Sequence, residues 1–212
     1  KDPVDGDVVV IKLHLPKDGV VEFVITNAQL TDKAELRKLL AREGVMVAEK
    51  KFSLLAMYLQ QVVRDLQYKR TAEKMRTQFG WADKDSKFIL GDREFTKNGR
   101  YHSPPSSTTA LIAQNMGPTG SLEKWKEVWK LYGRKGLEPH AFAALTAFGS
   151  PLFKFMGHNG CILNVIHPTS GTGKSTILYM ANSVYGHPEK LCAVFKDTMN
   201  SKMHRLGVMN NL

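Results

Sequence analysis

The stretch Pro168-Thr169-Ser170-Gly171-Thr172-Gly173-Lys174-Ser175-Thr176 has the residue types and spacing of a phosphate-binding loop. Glycines let backbone N–H groups turn inward around phosphate oxygens. A helix that begins at the lysine adds partial positive charge at the same place. In this reading Lys174 reaches the β- and γ-phosphates of a nucleotide, and the Ser175 hydroxyl holds Mg²⁺. Residues 168–176 form the cofactor-binding set, Lys174 and Ser175 are the catalytic candidates, and Ser175 is the metal ligand. One position departs from the usual pattern: Pro168 stands where a glycine is expected five residues before Gly173. Proline fixes its own φ and restricts His167 before it, so the turn must be made another way. The plainer alternative is a Gly/Ser/Thr turn that joins two elements and binds nothing.

A loop of this kind works only between a strand and a helix. The apolar run Cys161-Ile162-Leu163-Asn164-Val165-Ile166 predicts a buried strand ahead of it. Ile177, Leu178, Met180, Ala181 and Val184 predict a helix behind it, ended by Gly186 and Pro188. Leu191-Cys192-Ala193-Val194-Phe195 reads as the next strand, and Asp197 or Thr198 as the cap of a last helix that ends near Gly207. Upstream, Leu122, Trp125, Val128, Trp129 and Tyr132 fall at helical spacing before Gly133. This spacing makes the two tryptophans core residues rather than a base-stacking surface, and leaves Lys124, Lys126 and Lys130 as a solvated face. Pro139 suits the first turn of an apolar helix over 140–148 that stops at Gly149.

The N-terminal part reads differently. Residues 8–15 and 20–25 are β-rich runs about Lys17-Asp18-Gly19, a hairpin signal. Asp32 with Glu35 resembles a capping box for a helix whose apolar positions are Ala34, Leu36, Leu39 and Leu40, stopped by Gly44. A second helix is expected over 53–65, followed by a basic cluster of Arg64, Lys69, Arg70, Lys74 and Arg76. A short strand pair is expected at 87–90 and 93–95 around Gly91-Asp92. Ser103-Pro104-Pro105-Ser106-Ser107-Thr108 is the best linker candidate. The expected organisation is an accessory α+β domain over 1–105, a linker over 106–120, and the opening part of a P-loop NTPase domain over 121–212. The fold class is therefore α/β: an incomplete strand–loop–helix domain preceded by a small α+β domain.

The 212 residues, 42% of them hydrophobic and 24% charged, suit a folded protein, and no apolar run approaches membrane-spanning length. The polar start Lys1-Asp2-Pro3-Val4-Asp5 shows no signal peptide and no initiator methionine, which reads as a piece of a longer chain. The two cysteines, Cys161 and Cys192, lie in apolar runs and read as reduced core residues in a cytoplasmic setting. A net charge of +10 is compatible with a nucleic-acid partner. Hydrolysis needs, besides the loop, a carboxylate that holds Mg²⁺ through water. After the loop the acidic residues are Glu189, in a turn, and Asp197, which reads as a helix cap. The Walker B strand is therefore expected downstream of Leu212.

Several short motifs occur in order: the helix over 32–43 ending in Gly44-Val45-Met46-Val47, then Phe79-Gly80-Trp81, Phe88-Ile89-Leu90-Gly91-Asp92, Phe148-Gly149-Ser150-Pro151-Leu152, the loop, and Ser183-Val184-Tyr185-Gly186. With these, residues 8–212 resemble an uncharacterised helicase-like P-loop ATPase family of phage and plasmid replication proteins, often found C-terminal to a primase module. The resemblance implies an ATP- and Mg²⁺-dependent motor that assembles as a homo-oligomeric ring and moves on DNA, single-stranded DNA above all, in the host cytoplasm if phage-encoded. It carries over only Lys174, Ser175 and the loop residues Ser170 to Gly173. It also implies that a neighbouring subunit supplies an arginine to the γ-phosphate, and that an acidic pair follows soon after the chain's last residue. Two rival readings stand beside it. One is a nucleotide or metabolite kinase, which would need an Arg-rich lid where this chain has only Arg205 beyond Lys174. The other is a nucleic-acid-binding or assembly module with an inactive partial loop domain.

Overall fold

Val8–Leu15 (β1) and Gly19–Thr26 (β2) are rich in β-branched residues, and the two strands pair antiparallel with Ile11 opposite Phe23 and Val9 opposite Ile25. This pairing puts Ile11, Phe23 and Ile25 against a helical layer, with Ile25 fully buried. The computed structural model describes residues 1–212 apart from 16–18, 70, 71, 73, 158, 159 and 211. Lys17 and Asp18 of the expected turn, and Arg70 of the basic cluster, therefore lie outside the described residues. The chain divides into two compact units, Lys1–Met75 and Arg76–Leu212.

In the first unit the hairpin is followed by Asn27–Thr31 (α1), Lys33–Arg42 (α2) and Glu49–Lys69 (α3). The capping box belongs to α1, not to α2. The Thr26 hydroxyl accepts the Gln29 N–H at 3.1 Å and the Gln29 side chain accepts the Thr26 N–H at 3.0 Å. Asp32 does cap α2, through Ala34 N–H and Glu35 N–H, but Glu35 pairs with Lys38 at 2.9 Å and does not reach back to the cap. Gly44, at φ +86°, ends α2 in a Schellman turn: Val45 N–H donates to Leu40 at 2.8 Å and Gly44 N–H to Ala41 at 3.1 Å. Leu36, Leu40, Phe52 and Ala56 close the core over the hairpin. The second helix is longer at both ends than the expected 53–65.

The second unit opens with an antiparallel meander of Gly80–Ala82 (β3), Lys87–Leu90 (β4), Arg93–Thr96 (β5) and Gly99–His102 (β6), in sequential order. The helices Ala110–Ala113 (α4), Leu122–Leu131 (α5), Glu138–Gly149 (α6), Lys174–Asn182 (α7) and Met199–Met209 (α8) follow, with a 3-10 helix at Ser150–Met156. No helix among the described residues is long and apolar enough to cross a membrane. The chain is mixed α/β, with small sheets. Residues 103–109, expected at a linker, are built into this unit. Ser106 and Thr109 are buried, their hydroxyls lie 3.2 Å apart, and Pro105 bridges to Arg76. Residues 110–113 go on into the core through Ile112 and Ala113. Serine, threonine and proline here bond locally and pack, so the compact units separate earlier than composition suggests.

Two expected strands are absent. Residues 161–166 and 191–195 carry no strand structure, and Ile162 is 98% exposed. A buried parallel strand needs strands on both sides. Among the described residues of this unit the only sheet is the antiparallel meander, so neither run finds a ladder. Cys161 is accordingly exposed rather than in a core, and Cys192 is half-buried, its thiol pKa raised by burial. Both are free thiols.

One ion-pair network anchors the meander. Arg76 grips Asp83 with two bonds of 2.8 and 2.6 Å and reaches Glu94 at 3.2 Å, while Lys87 pairs with Glu94 at 2.7 Å. Residues Asp83, Lys84 and Asp85 all have positive φ, so this grip holds a turn of left-handed residues. The bond from Arg76 lowers the Asp83 carboxyl to about 2, and Lys87 adds to the effect. A carboxylate with a lowered folded pKa stabilises the fold above its ordinary pKa near 3.9, and loses that contribution as pH falls toward 2. The thermal midpoint of Asp83→Asn, which keeps the left-handed backbone accessible, should lie below that of the parent chain at pH 7. The difference should correspond to about 1 kcal/mol or less for so exposed a pair, and should vanish between pH 4 and pH 2. A second test concerns Gly186, which is buried where a Cβ would stand 2.2 Å from the Asn115 carbonyl oxygen and 2.7 Å from the Met116 Cα. Gly186→Ala is expected to destabilise by about 3 kcal/mol, read as a lower urea midpoint with an unchanged slope.

Candidate functional site

Helix α7 begins at Lys174, as the sequence predicts, because Gly173 adopts φ +83° and its carbonyl accepts the Ile177 N–H at 2.9 Å. Gly173 is the N-cap and has no side chain to bond the first turn, so the N–H groups there have no side-chain cap. Gly171 is also left-handed, at φ +76°. These two glycines are required by conformation rather than by space. A Cβ on Gly173 would meet the His140 ring at 3.6 Å, an ordinary contact, and one on Gly171 would meet nothing.

Lys174 folds back over the loop. Its Nζ donates to the Thr169 carbonyl at 3.0 Å and lies 3.4 Å from Thr172 Oγ1 and 3.5 Å from the His167 carbonyl. Pro168, Thr169, Ser170 and Gly171 are exposed, Thr172, Gly173 and Lys174 are half-buried, and Ser175 and Thr176 are exposed on the first turn of α7. The turn that Pro168 forces is closed by Thr169 N–H, which donates to His167 Nδ1 at 3.1 Å. The loop therefore presents a cation, a hydroxyl and an uncapped helix start to solvent, the donor set that an anion with several oxygens requires.

Residues 161–163 on the approach to the loop line an open groove of about 910 Å³ with Ala181, Asn182, Tyr185 and Met209. Asp197 does not cap α8; Thr198 does, accepting Ser201 N–H at 3.2 Å, while Asp197 accepts Val194 N–H at 2.9 Å in the preceding turn. Neither Glu189 nor Asp197 belongs to a group of three or more potential metal ligands, and no such group occurs among the described residues. Arg205 donates to the Leu191 carbonyl at 3.1 Å. The lysines Lys124, Lys126 and Lys130 are exposed on α5, while Trp125, Trp129 and Tyr132 pack against Ala143, Ala144, Ile177 and Met180.

The residue that sequence reasoning does not single out is His140. Its Nε2 lies 2.9 Å from the Thr172 carbonyl oxygen. A carbonyl only accepts, so Nε2 carries the proton and donates. The other nitrogen, Nδ1, is buried without a partner. A lone histidine near the start of an apolar helix carries no signal of this role, because the contact depends on how α6 packs against α7.

The short motifs that precede and follow the loop meet one another. Trp81 stands edge-on to Phe88 and Phe155 with centroids 5.0 and 5.1 Å apart, and its Nε1 donates to the Pro151 carbonyl at 2.9 Å. It is a packed residue, not a free stacking platform. The Tyr185 hydroxyl bonds the Ala147 carbonyl and lies 3.0 Å from Ser150 Oγ, and Trp125 Nε1 donates to Ser183 Oγ at 2.8 Å.

No curated protein and no solved structure matches the chain. A family model described as "Domain of unknown function (DUF927)" matches residues 9–203. That match spans nearly the whole chain, and the protein belongs to this DUF927 family.

Proposed function

We propose that residues 168–176 bind the phosphates of a nucleoside triphosphate, ATP in the first place, together with Mg²⁺, and that the chain is part of an ATP-dependent DNA translocase of the replicative-helicase kind. The observation that carries the reading is the Lys174 ammonium, drawn over an exposed loop by the Thr169 carbonyl at 3.0 Å, at the uncapped start of α7. Phosphate oxygens are better partners for that ammonium than backbone carbonyls, since they carry formal negative charge and a carbonyl is only a dipole. The left-handed glycines at 171 and 173 free the backbone to face the same oxygens. Bound Mg²⁺ would neutralise phosphate charge, and the Ser175 hydroxyl would be its ligand from this chain.

DNA contact belongs to the basic surface of a chain with net charge +10, and assembly into a ring would bring an arginine from a neighbouring subunit to the γ-phosphate. The kinase alternative is weakened because Arg205, the sole arginine beyond the loop, is engaged by backbone carbonyls.

Lys174→Ala tests the site. Affinity for Mg-ATP should fall about tenfold to a hundredfold, the value of a bond to a charged group, while affinity for single-stranded DNA at the same salt stays within about twofold. ATP turnover that rises on adding single-stranded DNA, and is lost in the variant, is the result expected of a motor. Unchanged nucleotide affinity in the variant would contradict the site. DNA binding without any nucleotide binding or turnover would favour the binding-module alternative.

A further inference from the structure

We propose that His140 is the positioning residue of the phosphate loop, a role that rests on the nucleotide-binding reading of residues 168–176. Helix α6 presents His140, Ala143, Ala144 and Ala147 at i, i+3, i+4 and i+7, which is one face. Ala143 and Ala144 on that face pack against Ile177 and Met180 of α7. At one end the same face meets the start of α7, where His140 bonds Thr172. At the other it meets the turn after α7, where Tyr185 bonds Ala147. The two helices thus run side by side in the same direction, and His140 is the last polar group on the shared face before the loop.

The peptide bond turns this contact into control of the loop. The group joining Thr172 to Gly173 is planar and trans, so its C=O and N–H point in opposite directions. His140 Nε2–H holds the Thr172 oxygen at 2.9 Å, and the Gly173 N–H is thereby turned away from α6, toward the side where the loop can meet a ligand. Gly173 at φ +83° has no Cβ to resist either orientation of that peptide, so without an outside restraint the plane is free to flip. A flip would present a carbonyl oxygen instead of an N–H to the phosphates. The buried, unpartnered Nδ1 fits a donor dedicated to one bond: the ring is held by packing and its single useful proton is on Nε2.

The test compares two substitutions. His140→Phe keeps a ring against Gly173 and removes the donor, and His140→Gln keeps a donor at similar reach without the ring. Affinities are read by displacement of a fluorescent ATP analogue with Mg-ATP and with pyrophosphate, beside thermal midpoints. The expected result is a loss of about tenfold for both ligands in His140→Phe, and recovery to within about twofold of the parent in His140→Gln, whatever the order of the thermal midpoints. If the Phe ring is not accommodated and the variant does not fold, His140→Leu serves as the donor-free member of the pair. Parent-like affinity in the donor-free variant, while Lys174→Ala still weakens binding about tenfold or more, overturns the role of His140 and leaves the loop assignment intact. An equal loss in His140→Gln and His140→Phe, tracking their thermal midpoints, also overturns it, because a purely structural ring would give that pattern. Parent-like affinity in Lys174→Ala as well would mean that the nucleotide-binding reading itself has failed.

Discussion

The contact between α6 and α7 is the constraint on which the candidate site depends. Ala143 and Ala144 have short side chains, and Ile177 and Met180 pack against them. A larger side chain on that face would move the start of α7, and with it the loop. His140 and Tyr185 fasten the two ends of the pair, and the tryptophans of α5 close its outer side. The loop is open to solvent, and to its own bonds from Lys174 and Thr169 is added a bond from a helix packed behind its last residues.

The short motifs that gave the chain its resemblance have a common physical role. Phe79 is a core residue, Trp81 ties the meander to the 3-10 helix through Pro151, Ser150 meets Tyr185, and Gly186 allows the backbone of 115–116 to pass against it. Each lies where two elements touch, and each uses a residue type that few others replace: an indole donor, a tyrosine hydroxyl, a glycine without a Cβ. They are joints of the frame that presents the loop.

Much of this was legible in the sequence, for identifiable reasons. The hairpin, α2, α5, α6, α7 and α8 follow from periodicity and end signals that act locally: Asp32 and Thr198 as caps, Gly44 as a left-handed stop, and Pro139 in a first turn. The strands expected at 161–166 and 191–195 did not follow, because an apolar run specifies burial only where neighbouring strands are present to pair with it. The expected linker failed for a related reason. Ser103-Pro104-Pro105-Ser106 looks loop-like in composition, yet the buried hydroxyls of Ser106 and Thr109 satisfy each other. In the candidate site, Lys174, Ser175 and the glycines were legible as a pattern. His140 was not, since a residue so far upstream enters the site only through helix packing.

A loop anchored to α6 should receive phosphates at the start of α7. Amide hydrogen exchange of the chain with and without saturating Mg-ATP tests it most directly, since it reads the loop and its support together. Exchange should slow across residues 169–177 and, through the bond from His140 to Thr172, in the first turns of α6, with the meander of β3–β6 unchanged. Slowed exchange elsewhere, with residues 169–177 exchanging as they do without nucleotide, would contradict it.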